Sequence, residues 1–187
     1  MFIYLHGFAS SGKSNKSQAL VDAFGTTNVW APDLPMNPRE VVALVDGFIK
    51  NNPQDKIVFV GTSLGGFYAR YFSSTWDAPC VLVNPSTRPS ITMKEKLGTN
   101  KNYSTGKEFQ VTDDDLRDFS QMEETLKLNR PSGALIDLFL AEDDSVLEYK
   151  TALTDIPFTN STTITKDGGH RFDTNFDQVI KVLKKFE

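Results

Sequence analysis

Short apolar runs recur along the 187-residue chain, and small or turn-forming residues end each of them. The runs are rich in β-branched and aromatic residues and mostly continuous, which is typical of strands covered on both faces. They are Phe2–Leu5, Asn28–Ala31, Lys56–Val60, Cys80–Val83, Ala134–Leu140 and Thr162–Thr165. Helical patterns lie between them, at Ser17–Phe24, Pro38–Asn51, Gly65–Ser73 and Phe176–Phe186. The alternation predicts a mostly parallel α/β sheet of about six strands with helices on both faces.

Residues 86–130 interrupt this alternation. They contain TRPS, GTNKNYSTG and the acidic VTDDDL, and their apolar content is low. A helix is predicted at Asp113–Leu128, with Thr112 as its N-cap. We interpret the segment as an insertion, or partial cap, over one edge of the sheet, so that residues 1–187 form a single domain.

Composition excludes several classes of partner. The net charge is −4, so the chain lacks the excess of positive charge that attracts nucleic acid or an anionic membrane. No apolar run approaches the roughly 20 residues that span a bilayer, and we expect no signal peptide. The single cysteine, Cys80, lies among apolar residues and is predicted to be a buried, inert thiol. We expect a soluble cytoplasmic protein; its oligomeric state stays open.

The first strand is followed by HGFASSGKS, in which Gly7–Ser14 matches the phosphate-binding pattern G-x-x-x-x-G-K-S. A nucleotide-binding enzyme of this type also needs an acidic residue at the end of a neighbouring strand to hold magnesium. Asp143 or Asp144 would serve, and Asp33 less well. This hypothesis leaves two other motifs, GTSLGG and GGH, without a role.

Those motifs fit a different site. VFVGTSLGG is an apolar strand, then G-x-S-x-G-G, then a helix, which is the context of a nucleophile elbow with Ser63 at its apex. His170 lies in KDGGHRF, after the last predicted strand, and is the candidate base that activates the serine. Asp144, in LFLAEDDSVLEY, is the candidate acid that orients the imidazole, with Asp143 as its rival. The order Ser63, Asp144, His170 is that of α/β-hydrolase triads.

Acyl transfer also requires donors for the developing oxyanion. The first is predicted to be the amide of Leu64, directly after the nucleophile, and the second the amide of Phe8 in the HGF turn. His6 is interpreted as a structural part of that turn. On this hypothesis the match to G-K-S is coincidental.

These residues together resemble a known family. YLHGFASS, VGTSLGGFYA, VLVNPSTRP, LGTNKNYSTGK, DDSVLEY and GGHRF, in this order, are similar to the YqiA-like esterases, which are small bacterial α/β-hydrolases. The resemblance covers nearly the whole chain. It implies a compact α/β-hydrolase fold, cleavage of acyl esters, and a triad at Ser63, Asp144 and His170. The chain departs from the family in having GKS where a proline-containing segment is usual, and GGH without an extra residue before the histidine.

The predicted function is therefore cleavage of carboxylic esters, or thioesters, through an acyl-enzyme. The partner is a small acyl ester, and no metal or organic cofactor is expected. Two alternatives remain open: nucleotide binding at Gly7–Ser14, and a hydrolase-like binding module without turnover. The sequence does not define the acyl chain or the leaving group.

Overall fold

A computed structural model describes residues 1–129, 132 and 135–187. Its strands are β1 Phe2–Leu5, β2 Val29–Trp30, β3 Val58–Thr62, β4 Cys80–Val83, β5 Gly98–Lys101, β6 Glu108–Val111, β7 Ile136–Ala141 and β8 Ser161–Thr165. Six of them form one parallel sheet in the order β2-β1-β3-β4-β7-β8. The predicted α/β sheet is confirmed. The antiparallel hairpin of β5 and β6 is separate from it and was not predicted.

Helices connect the strands. They are α1 Asn15–Phe24, α2 Pro38–Asn51, α3 Leu64–Trp76, α4 Pro89–Thr92, α5 Asp113–Leu128, α6 Tyr149–Asp155 and α7 Phe176–Leu183. Of these, α4 and α6 were not predicted. No helix in the described ranges is long and apolar enough to cross a membrane.

The sheet is covered on both faces because successive side chains of each strand point to opposite sides. Ile3 and Leu5 of β1 belong to a core cluster with buried residues of α2, α3, α5 and α6. Phe2 and Tyr4 of the same strand belong to a second cluster, shared with α1 and α7. A continuous apolar run is the sequence pattern that this two-sided burial requires.

Capping residues account for the helix boundaries. Asn37 accepts hydrogen bonds from two amides of the first turn of α2, and Thr112 forms a capping box with Asp115 at the start of α5. Both helices have the predicted bounds. Helix α1 begins before its predicted start, since Ser14 is its N-cap. Strand β3 lies two residues further along the chain than expected.

Residues 86–129 contain α4, the hairpin and α5, so the predicted insertion has secondary structure of its own. Phe119 of α5 packs against Phe67 of α3, with 5.9 Å between ring centroids. The amide of Tyr103, in the hairpin turn, donates to the carbonyl of Ala9 at 2.7 Å. The hairpin therefore lies over the loop that follows β1. Arg130 and Ala134, included in the predicted elements, lie outside the described residues.

Cys80 lies on β4 and is fully buried. Burial raises the pKa of its thiol to about 12. The thiolate is therefore not populated near neutral pH, which agrees with the predicted inert role.

The strand order places a switch point beside β1. The chain passes from β1 to β2 on one side and later reaches β3 on the other side of β1. Loops that diverge in this way leave a crevice at the carboxyl ends of the strands, where ligands bind in open α/β sheets. The loops after β1 and β3 are those that carry HGF and GTSLGG.

Candidate active site

The turn between β3 and α3 places Ser63 in a strained conformation, with φ 55° and ψ −122°. Two backbone hydrogen bonds hold it: Ser63 N–H donates to Val83 O at 3.0 Å, and Ser86 N–H donates to Ser63 O at 2.9 Å. Gly65 is required because a Cβ there would lie 1.9 Å from the carbonyl oxygen of Leu5. The strand, the sharp turn at Ser63 and the helix therefore follow one another as predicted.

The loop after β8 brings His170 to this serine. Gly168 and Gly169 have φ values of 126° and 56°, which glycine adopts without steric cost. The Nε2 atom of His170 lies 2.9 Å from Ser63 Oγ. The GGH sequence therefore reaches the nucleophile without an additional residue.

Asp144, in the loop after β7, contacts the opposite nitrogen of the imidazole. Its Oδ2 lies 2.8 Å and its Oδ1 3.0 Å from His170 Nδ1. The Asp144 side chain is only 1% exposed. With Nδ1–H donating to this carboxylate, Nε2 is left as the acceptor for the hydroxyl proton of Ser63, the tautomer that a general base requires.

The environment keeps Asp144 ionised. Burial by itself raises the pKa of this carboxyl, but the hydrogen bonds from His170 and from the amides of Leu147 and Val146 outweigh it. The net result is a pKa below the ordinary value. Both amides donate to Oδ1, at 2.9 and 2.8 Å, so the turn after Asp144 fixes its orientation.

Asp143, the rival candidate, makes a different contact. Its Oδ1 accepts the amide hydrogen of Gly169 at 2.8 Å. This bond ties the loop after β7 to the loop after β8. The adjacent carboxylates thus have separate partners, the imidazole for Asp144 and the backbone for Asp143.

The two candidate oxyanion donors flank the serine. Leu64 is the first residue of α3, a position whose N–H has no acceptor within a helix. In the described ranges the amide of Phe8 has no hydrogen-bond acceptor. A Cβ added to Gly7 would lie 3.2 Å from Ser63 Cβ, which places the HGF turn directly against the nucleophile.

His6 has the structural role that was predicted. Leu34 N–H donates to its Nε2 at 2.9 Å, so Nδ1 carries the proton and donates to Gly7 O at 2.8 Å. Burial lowers the pKa of His6 and favours this neutral form. The side chain joins the loops after β1 and β2 and supports the turn that presents Phe8.

The Gly7–Ser14 segment does not have the arrangement of a phosphate cradle. In such a cradle the backbone amides point at the anion. Here Gly12 N–H donates to Asp33 Oδ1 at 2.7 Å, Lys13 is exposed, and Ser14 caps α1. The amide hydrogen of Gly12, which a phosphate would need as a donor, is therefore already bonded to the Asp33 carboxylate. The negative charge of that carboxylate also repels an anion. These contacts disfavour the nucleotide hypothesis.

Sequence reasoning missed one residue of the site, Asn84, which directly follows β4. It is buried, with φ 41°, a left-handed conformation that asparagine tolerates. Its Oδ1 accepts from Ala141 N–H at 2.9 Å, and its Nδ2 donates to the carbonyls of Gly169 and His170 at 2.9 and 3.2 Å. One side chain thus connects the strand leading to Asp144 with the loop carrying His170. Its signal in the sequence is a polar residue placed directly at a strand end.

Asn84→Gly is expected to lower kcat for ester hydrolysis by about 10–100-fold with little change in KM, because the imidazole loses its backbone anchor. Glycine keeps the positive φ without strain, so the change removes only the side chain. The lost contacts also lower the free energy of unfolding by roughly 1–3 kcal/mol. Steady-state kinetics and urea unfolding measure the two effects.

Asn160→Ala is the control for this prediction. Asn160 Nδ2 donates to the buried carboxylate of Asp137 at 2.8 Å, at the opposite end of β7. Its loss is expected to destabilise the protein without changing kcat. If Asn84→Gly, like Asn160→Ala, lowered the free energy of unfolding without lowering kcat, Asn84 would have no part in positioning His170.

Comparison with solved structures identifies the fold. The chain superposes on mouse α/β hydrolase domain-containing protein 10 with a TM-score of 0.75 and 13% identity, over 99% of this chain and 88% of that one. It superposes on the monoacylglycerol lipase of Paleococcus ferrophilus with a TM-score of 0.72 and 13% identity, over 100% and 94% of the two chains. The fold is therefore that of the α/β-hydrolases, as predicted.

Comparison with curated sequences gives relatives of higher identity. A UPF0227 protein of Pectobacterium atrosepticum is 31% identical over 108 residues, which are 55% of this chain and 60% of the relative. The chain thus spans about 60% of the length of the curated relatives it matches. The sequence profile of a family described as "Uncharacterised protein family (UPF0227)" matches residues 1–187.

Proposed function

The chain belongs to the protein family UPF0227, which confirms the predicted family resemblance, and from this premise we propose that it is a serine hydrolase that cleaves carboxylic esters or thioesters. The observation that carries the proposal is the continuous hydrogen-bonded series from Ser63 Oγ through the His170 imidazole to Asp144. A hydroxyl, an imidazole and a buried carboxylate in this geometry are the requirements for an activated serine nucleophile.

In the first half-reaction, Ser63 Oγ attacks the carbonyl carbon while its proton passes to His170 Nε2. The imidazolium is stabilised by the Asp144 carboxylate, and the carbonyl oxygen becomes an oxyanion held by the amides of Phe8 and Leu64. The tetrahedral intermediate then collapses. The bond to the leaving alkoxide or thiolate breaks, and His170 Nε2 returns the proton to it.

The second half-reaction hydrolyses the acyl-enzyme by the same groups. His170 takes a proton from water, and the resulting hydroxide attacks the acyl carbon. The second oxyanion forms at the same two amides. When it collapses, the bond between the acyl carbon and Ser63 Oγ breaks, His170 Nε2 returns its proton to Oγ, and the carboxylic acid leaves. Protein groups supply the nucleophile, the base and the oxyanion donors in every step, so the proposed chemistry uses neither a metal nor an organic cofactor.

Ester cleavage in particular is supported by two considerations. The fold is shared with a protein named as a monoacylglycerol lipase, so it is compatible with ester substrates. The imidazolium that forms when His170 takes the proton of Ser63 can return that proton to an alkoxide or thiolate leaving group.

A partitioning experiment tests the acyl-enzyme. Esters that share one acyl group but differ in leaving group, with the matching thioester, are hydrolysed in buffer containing methanol. A common acyl-enzyme gives the same ratio of methyl ester to free acid for every leaving group. A ratio that changes with the leaving group, or the absence of turnover, would contradict the proposal.

A further inference from the structure

The hairpin of β5 and β6 is bonded to the loop that follows β1. The stretch LGTNKNYSTGK contains the first strand and the turn of this hairpin, and the proposed mechanism gives it no role. Two of its residues grip successive carbonyls of the loop. Tyr103 N–H donates to Ala9 O at 2.7 Å, and Asn102 Nδ2 donates to Ser10 O at 2.7 Å.

Two peptide units carry this contact to the Phe8 amide. A trans peptide is planar, so its C=O and its N–H point in opposite directions. In the first unit, the carbonyl of Ala9 accepts from the hairpin and the N–H of Ser10 donates to Gly7 O at 3.3 Å. In the second unit, Gly7 O also accepts from His6 Nδ1 at 2.8 Å, and the N–H on the opposite side is that of Phe8. The direction of the Phe8 donor therefore depends on the hairpin.

The loop has a conformation that needs such support. Ala9 has a φ of 54°, in the left-handed region, where its Cβ crowds the carbonyl oxygen that follows. Conformations of this kind persist where surrounding contacts hold them. The hairpin supplies two hydrogen bonds and a ring contact, since Phe109 of β6 packs edge-on against Phe8 with 5.6 Å between centroids. It therefore stabilises a loop conformation that the loop by itself disfavours.

Asn102 arranges both donors of the hairpin. Its Oδ1 accepts from the amides of Ser104 and Thr105, each at 2.9 Å, which is the side-chain turn that asparagine favours. This turn holds Asn102 Nδ2 and the adjacent Tyr103 N–H against the loop. Asn102 also lines a cavity of about 260 Å³ together with both candidate oxyanion donors, so its contacts lie beside the reacting centre.

We propose that Asn102 is a positioning residue for the oxyanion hole. Through the carbonyls of Ala9 and Ser10 it holds the peptide units that present the Phe8 amide. The amide is then aligned before the substrate binds, and this alignment has its largest effect when negative charge develops on the carbonyl oxygen. This inference rests on the proposed serine-hydrolase function and gives the LGTNKNYSTGK stretch a role in it.

Two variants remove the Nδ2 donor of Asn102 in different ways. Asn102→Asp keeps an oxygen for the amides of Ser104 and Thr105 and so preserves the turn, whereas Asn102→Ala introduces no charge. Both are expected to lower kcat for p-nitrophenyl hexanoate by about 10–100-fold, because a displaced donor loses part of the roughly 10²–10³-fold effect of an oxyanion-hole donor. KM is expected to stay within about twofold, since the lost interaction acts in the transition state.

Asn100→Asp and Asn100→Ala are the matched controls in the same hairpin. Asn100 Nδ2 donates to the carbonyls of Lys96 and Gly98 at 2.5 and 3.1 Å, at the opposite end of β5 from the turn. Both control variants are expected to keep the kcat and KM of the wild type.

A trifluoromethyl ketone gives a readout that a merely structural role would not change. Ser63 Oγ adds to its carbonyl carbon, the hydroxyl proton passes to His170 Nε2, and the oxyanion of the adduct lies at the same two amides. The Ki of the ketone is expected to rise in the Asn102 variants by the factor by which kcat falls. The Ki of the corresponding secondary alcohol, which forms no oxyanion, is expected to stay unchanged.

The outcomes separate this inference from the proposed function. Wild-type kcat in the folded Asn102 variants would overturn the inference, and so would a rise in KM at unchanged kcat, which would make Asn102 a substrate contact only. A fall in kcat without a rise in the Ki of the ketone, or an equal fall in the Asn100 variants, would also overturn it. Absence of turnover by folded wild-type protein would instead overturn the hydrolase proposal on which it rests.

Discussion

Ser63→Ala is expected to reduce kcat for ester hydrolysis by about 10⁵–10⁶-fold, because no other group in the site replaces the attacking oxygen. Among the residues that the structure describes, Ser63 Oγ hydrogen-bonds to His170 Nε2 alone. The two bonds that hold the elbow use backbone atoms and persist in the variant. The loss therefore lies in chemistry and not in folding, and Tm is expected to change little.

The measurement compares initial rates with a p-nitrophenyl ester and Tm for the wild type and the variant. The matched control is Ser74→Ala, on the same helix, whose hydroxyl donates to the backbone carbonyl of Asn129. It is expected to retain wild-type rates. Residual activity of Ser63→Ala within about tenfold of the wild type would exclude Ser63 as the nucleophile.

Asp144→Asn is expected to reduce kcat by about 10⁴-fold while the fold stays intact. In the variant, Oδ1 keeps the hydrogen bonds from the amides of Val146 and Leu147, so the amide nitrogen replaces Oδ2 against His170 Nδ1. An amide nitrogen donates, which forces the imidazole proton onto Nε2. That nitrogen then cannot accept the proton of Ser63.

Asp143→Asn is the matched control, one residue earlier in the same loop. The oxygen of the new amide still accepts from Gly169 N–H, so only a small loss of kcat is expected. A large loss in Asp143→Asn with a small one in Asp144→Asn would reverse the two assignments. The pair of variants therefore decides which of the adjacent carboxylates is the triad acid.

Much of the fold follows from local sequence signals. The apolar runs mark the strands of the central sheet because both faces are covered, and Asn37 and Thr112 mark the starts of α2 and α5 as N-caps. The hairpin of β5 and β6 was missed because its residues are largely exposed and polar, with no alternating apolar pattern. Its position over the Ala9 loop depends on a backbone contact between distant segments, which no local pattern encodes.

The arrangement of Ser63 and His170 was predictable because their motifs follow strands whose carboxyl ends meet at one edge of a parallel sheet. The choice between Asp143 and Asp144 was not, since both carboxylates reach the His170 loop and differ only in which atom they contact. Such a difference depends on the turn geometry after β7.

Asn84 was missed for another reason. Asn84 acts through three backbone groups that lie 57 to 86 residues away in the chain, a relation visible only in the folded molecule.

Reaction with a fluorophosphonate tests the central claim most directly. The purified wild-type protein and Ser63→Ala are each incubated with the probe, weighed intact by mass spectrometry and mapped by peptide digestion. A single adduct on Ser63, absent from the variant, is the result that the proposed site predicts, since only a serine activated by a base attacks phosphorus at a useful rate. Folded wild-type protein that forms no adduct, or forms it at another residue, would contradict the account and favour a hydrolase-like binding module instead.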